Sequence, residues 1–158
     1  MQHIGFITLC ALLFCTAMQA KATQFMEHSK IVEKACFANL KRTPVTQWLD
    51  LDTTTGLSPM TVAALCYRNG IKVVVRETKY QHAELANNFA ETVVKISQAR
   101  DEGKISARTA LALYRGLSSE FRTFIAIEDV GDQLQESKHV EHGINGVISS
   151  IEEVKAGR

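Results

Sequence analysis

The sequence predicts an all-α fold: a small antiparallel helical bundle of four to five helices, closed by one inter-helix disulfide, after a cleaved N-terminal signal peptide. Three observations carry that prediction. Apolar residues recur every three to four positions through most of the chain, the period of an amphipathic helix. Only two prolines, Pro44 and Pro59, interrupt 158 residues. Of the four cysteines, Cys10 and Cys15 lie in the apolar leader, which leaves Cys36 and Cys66 for the folded domain.

The leader comes first in the chain. Ile4 to Ala17 is a run of fourteen residues without a formal charge. A bilayer-spanning helix needs about twenty, whereas a signal-peptide core needs about seven to fifteen. The run ends in Ala20-Lys21-Ala22, small residues spaced for cleavage after Ala22 and, less cleanly, after Ala20. Met1-Gln2-His3 supplies only a weakly cationic start, so an uncleaved N-terminal anchor is the competing reading. A lipoprotein signal is disfavoured, because bulky Leu9 and Phe14 precede Cys10 and Cys15 where lipidation needs a small residue. The expectation is therefore residues 1–22 as signal peptide and 23–158 as one helical domain, periplasmic or secreted, with no stable membrane insertion after cleavage.

Cleavage after Ala22 leaves 136 residues, enough for a single core. Only Lys21 of the 18 basic residues is lost, so 17 basic face 17 acidic side chains. A neutral domain is a poor ligand for nucleic acid or anionic membranes by bulk charge. Two cysteines in a small exported domain are more often bridged than free. Val32 and Leu40 flank Cys36 at four-residue spacing, and Val62 precedes Cys66 by one turn, which directs both thiols toward a helix–helix contact. A Cys36–Cys66 bridge closing some thirty residues contributes about 3.5 kcal/mol on the chain-entropy argument. No C-x-x-C spacing suggests a redox or metal-ligating alternative.

The elements follow in order. Thr23–Leu40 reads as the first helix, with Phe25, Val32, Cys36 and Leu40 on one side, until Thr43-Pro44 interrupts it. Ser58-Pro59 is a capping residue followed by proline at the first helical position, and the helix it starts is expected to stop near Asn69-Gly70. "IKVVVRE" is ambiguous. Three consecutive valines favour a strand by propensity, but Ile71, Val74, Val75 and Thr78 continue a helical face into Leu85, Phe89, Val93 and Ile96. A helix or a short irregular link is favoured, since the only pairing candidate for a strand is Phe124–Ile127. Gly103 stops the next helix and Ser106 caps its successor, which carries Leu111, Tyr114, Leu117, Phe121 and Phe124 on one face. Residues 136–146, polar and glycine-containing, read as a loop or frayed helix. Val147, Ile148, Ile151 and Val154 mark a last amphipathic piece.

Candidate chemistry is sparse. His139 and His142, three apart with Glu136 and Glu141 nearby, lack the H-E-x-x-H spacing of a metalloprotease helix and read as solvated. "DLDTTTG" begins like a calcium loop, but Gly56 falls one position late and Thr61 occupies the terminal carboxylate position, so Asp50 and Asp52 read as turn residues. Trp48 is expected to plug an end of the bundle. Arg68, Lys72, Arg76 and Tyr80 are four apart; a helix running through Gly70 would make them a basic ridge with Lys79 beside it, and a strand would scatter them. No nucleophile motif, phosphate loop or dinucleotide fingerprint occurs. The expected function is non-enzymatic: an exported helical protein that binds another protein in an inhibitor, immunity or envelope-accessory role. The Arg68–Tyr80 ridge and "HVEHGING" are its expected contacts, with no catalytic residue, metal, cofactor or nucleic acid. The alternative is a bundle that carries a small ligand or a metal.

Overall fold

Helix ends in this protein are set where the sequence supplies caps. The computed structural model describes the backbone of residues 3–127 and 130–155 and the side chains of residues 20–127 and 135–153. The described residues form five helices: α1 (His3–Cys36), α2 (Pro59–Thr78), α3 (Ala83–Asp101), α4 (Ala107–Ala126) and α5 (Val130–Lys155). Two short 3₁₀ turns, Leu40–Arg42 and Val45–Gln47, join α1 to α2. No strand occurs among the described residues. Of the segment expected to be a signal peptide, Met1 and Gln2 and the side chains through Gln19 lie outside the described residues, and the backbone from His3 continues into α1. Among the described residues no helix is long and apolar enough to cross a membrane.

The caps fall at the predicted positions. Ser58 accepts from the Thr61 amide with Pro59 at the first helical position, and Ser106 accepts from the Thr109 amide at 3.1 Å. Gly103, at φ +72°, takes the left-handed turn that ends α3. The Ser58 amide also donates to Asp101 Oδ2 at 3.0 Å, which ties the start of α2 to the end of α3 across 43 residues.

Two expected interruptions are absent. Asn69-Gly70 does not end α2, which continues through "IKVVVRE" to Thr78, where Lys79 closes it at φ 49°. Gly70 is needed for a different reason: a Cβ there would collide with Val32 Cγ1 of α1. The residue that reads locally as a helix stop is a close-approach point between two helices. Residues 136–146 are likewise not a loop but lie within α5, because Ser137, Val140, Ile144 and Val147 form a buried stripe at helical spacing. The Val154 side chain lies outside the described residues.

The helices pack antiparallel in sequence order. α3 is the hub, buried on most of its circumference and packed against α2, α4 and α5. Phe89 at its centre stacks on Phe121 of α4, ring centroids 4.0 Å apart, and meets Tyr67 of α2 edge-on at 6.2 Å. Such pairs add about 0.5–1.5 kcal/mol beyond the area they bury. α1 lies against α2 in a seam pinned at three levels. Phe25, fully buried, stacks on Tyr80 at 4.0 Å; Val32 closes on Gly70; and Cys36 bridges to Cys66 with Cα atoms 5.6 Å apart. The bridge joins two helices as expected, but at the outer edge of their contact, since Cys36 is half-buried and Cys66 and Val62 are exposed.

Candidate functional site

α1 buries one edge against α2 and presents the other to α4, where the two helices hardly touch. The sequence explains the gap. Along that edge of α1, Lys30, Glu33, Lys34 and Phe37 alternate charge with a single large apolar group, and the facing edge of α4 offers Tyr114, Ser118 and Arg122. Neither edge supplies the continuous aliphatic stripe that interlocks two helices. A groove results, with its floor formed from α2 and α3.

At its centre is a cavity of about 80 Å³, walled by Phe37, Tyr67, Phe89, Tyr114 and Phe121. Phe37 contacts Tyr67 at 5.9 Å and Tyr114 at 6.1 Å between ring centroids. A hollow of about 370 Å³ continues past Lys34 and Lys41 to Trp48 and Met60, and another of about 430 Å³ follows α4 past Arg115 and Arg122 to Ala126. The three share Tyr114 and so adjoin there, the last being lined by α4 residues alone.

Glu33 and Arg122 form a salt bridge across the mouth of the central cavity. The Glu33 hydrogen bond and its charge hold the Arg122 guanidinium above its ordinary pKa. Burial pushes the Tyr67 and Tyr114 phenols up, so both stay neutral near pH 7 and the floor carries no charge. Ser118 is 8% exposed and its hydroxyl makes no hydrogen bond. It lies near enough to the Tyr114 phenol to temper that upward shift without reaching bonding geometry. A buried unpaired hydroxyl of this kind is destabilising by about 1 kcal/mol, the low end of the range for unsatisfied polar groups.

Among the described residues lining this path, five are cations (Lys30, Lys34, Lys41, Arg115 and Arg122) and Glu33 is the one carboxylate. The imbalance is local, because 18 basic and 17 acidic residues nearly cancel over the whole chain. Trp48 lines one end: its indole N–H donates to the Leu40 and Thr43 carbonyls, each at 2.8 Å, and the half-buried ring packs against the core.

The ridge read from the sequence is only partly assembled. Arg68, Lys72 and Arg76 do share α2, but Arg68 turns toward α3 to pair with Glu91 at 3.5 Å, leaving Lys72 and Arg76 exposed. Tyr80 is not part of a ridge. It follows the left-handed turn at Lys79, is 4% exposed and stacks on Phe25. His139 and His142 lie exposed on α5, with His139 Nδ1 3.3 Å from Glu136 Oε2. Among the described residues no group of three histidine, cysteine or acidic side chains is placed to hold a metal ion. Asp52 is a turn residue: its carboxylate accepts from the Thr54 and Thr55 amides at 2.9 and 2.8 Å, which lowers its pKa.

Sequence reasoning missed the groove. The available signals were Lys30 and Lys34 on one face of α1, Lys41 just beyond its end, and the aromatics Phe37 and Tyr114 at the margins of their apolar stripes. Comparison of the chain with protein-family models, with curated proteins and with solved structures returned no match.

Proposed function

We propose that this is an exported, non-enzymatic binding protein that engages another protein through the α1–α4 groove, in an inhibitor, immunity or envelope-accessory role. The observation that carries the proposal is the open aromatic floor between α1 and α4. Interfaces concentrate their energy in a few aromatic and arginine residues around desolvated pockets, and Phe37, Tyr114 and Arg122 meet at such a pocket. The inter-helix disulfide supports export, because such bonds persist in oxidising compartments. The alternative, a carrier of a small ligand, draws on the same cavity. The central cavity of about 80 Å³ suits one inserted side chain, whereas the adjoining hollows of about 370 and 430 Å³ fall within the roughly 300–1,000 Å³ of ordinary ligand sites.

The test is site-specific photocrosslinking in the exporting cell. A crosslinker at position 115, in the groove, is expected to trap a defined protein that position 76, on the outer face of α2, does not. That protein, purified, should bind the oxidised chain and lose binding to the Tyr114→Ala variant. Equal trapping from both positions, or a native mass that retains a small molecule displaced by groove variants, overturns the proposal.

A further inference from the structure

We infer that the occupant of the groove is an acidic amphipathic helix of about three turns, anchored by one branched aliphatic side chain; this rests on the reading of the groove as a protein-docking site. Form follows from the walls. Both are helices with a gap between them, and a third helix laid into the seam would interlock with each; the absence of a strand among the described residues leaves no sheet edge to extend. Length follows from the α4 wall: Tyr114 to Ala126, all within one helix, spans roughly 18 Å at about 1.5 Å per helical residue, which is three turns.

The anchor follows from the cavity. At about 80 Å³ it is near half the roughly 150 Å³ that accommodates benzene, so it takes the end of a leucine, isoleucine or valine and excludes a large ring. Ser118 supplies a second, independent pointer to an occupant: a buried hydroxyl without a partner that faces the same space. Charge follows from the five cations against one carboxylate. Glu33 offsets only Arg122, with which it is paired and whose guanidinium it holds over the cavity, so Lys30, Lys34, Lys41 and Arg115 leave the rim cationic. A helix carrying aspartate or glutamate on both flanks of its aliphatic anchor would meet Lys34 and Lys41 on the α1 side and Arg115 on the α4 side. Rim charges of this kind govern association rate and salt dependence, while the buried anchor governs dissociation.

The probe is a display library of random 15-residue helical peptides selected on the oxidised full chain, with the winners synthesised and titrated against it. Trp48, the only tryptophan, lines one end of the path and reports docking by its emission. The selected peptides should carry net negative charge around a single aliphatic residue. Their affinity should fall at least tenfold in the Lys34→Glu/Lys41→Glu variant and weaken as salt rises, and stay unchanged in Arg76→Glu. Ser118→Leu, which fills the cavity, should abolish binding; the exposed lysine reversals keep the test valid should that variant misfold.

Neutral or basic peptides that Ser118→Leu excludes would overturn the acidic partner and leave the groove reading intact. Peptides indifferent to both Ser118→Leu and the lysine reversals would overturn the two together. Phosphatidylglycerol vesicles shifting the Trp48 emission where acidic peptides do not would replace the helix with a lipid surface, and overturn the inference.

Discussion

α1 has two seams, and they are built on opposite plans. Against α2, small meets large at close range, an aromatic stack holds one end and a covalent bridge holds the other. Against α4 there is one exposed salt bridge, a cavity and an unpaired hydroxyl. The difference teaches that the groove is not poor packing. A helix fastened on one side cannot swing across to fill the gap on its other side, so the tight seam is what keeps the loose one open. Interiors are ordinarily packed to crystal-like density, and a hollow that a small shift of α1 would close persists only when something forbids the shift.

The largest effect should come from unpinning the tight seam. The Cys36→Ser/Cys66→Ser variant is expected to lose about 3.5 kcal/mol, the entropy of closing a loop of this length. For a domain of this size the melting temperature should fall by on the order of 10 °C, measured by circular dichroism. The Trp48 emission should move to longer wavelength in the folded variant as α1 drifts and the path beside it widens. An unchanged melting temperature would mean that Phe25 and Val32 hold α1 alone, and that the bridge is not what separates the two seams.

Gly70→Ala comes next. Valine in a helix is confined almost to one rotamer, so Val32 cannot turn away from the new methyl group. Overpacking of this kind costs about 1–3 kcal/mol, offset by about 1 kcal/mol from the better helix propensity of alanine. A net loss of up to about 2 kcal/mol is expected by denaturant unfolding. Adding Val32→Ala should recover part of it, so that the double variant is less damaged than the two single ones summed. Strict additivity would show that the two helices are not in contact at that level.

How much of this was legible in the sequence depends on whether a feature is local. Ser58-Pro59, Gly103 and Ser106 act on their own neighbours, and each marks a helix end where it was read. The pairing of Cys36 with Cys66 followed from parity once the leader was set aside. Gly70 was misread because its meaning depends on Val32, 38 residues earlier, while the local signal of Asn-Gly says stop. Tyr80 was misplaced because four-residue spacing marks a shared face only while the helix lasts, and α2 ends two residues before it. In α5 the buried stripe of Val140, Ile144 and Val147 was present in the sequence, but glycines and polar residues between its members masked the period. The groove was least legible of all. It is a contact that α1 and α4 do not make, and no residue type announces a missing contact.

The open seam makes the opposite prediction from Gly70. Ser118→Ala removes a hydroxyl that is buried without a partner and adds no bulk, so it should stabilise the chain by up to about 1 kcal/mol. A loss of more than about 1 kcal/mol on denaturant unfolding would mean that the hydroxyl is engaged in solution, and that this seam is finished rather than waiting for a partner.

The smallest effect should come from the salt bridge that crosses the open seam. Arg122 is 63% exposed in its side chain and Glu33 35%, and exposed ion pairs of this kind contribute about 0.2–1 kcal/mol. A double-mutant cycle with Glu33→Gln and Arg122→Gln is therefore expected to give a coupling inside that range, shrinking toward zero in 0.5 M salt as exposed charges are screened. The pair then aligns the guanidinium over the cavity without locking the helices together, and a partner carboxylate can take Arg122 from Glu33 at little cost. A coupling above about 2 kcal/mol that survives salt would reverse this reading. The pair would be a latch, both seams of α1 would be fastened, and the contrast between them would be one of chemistry rather than of tightness.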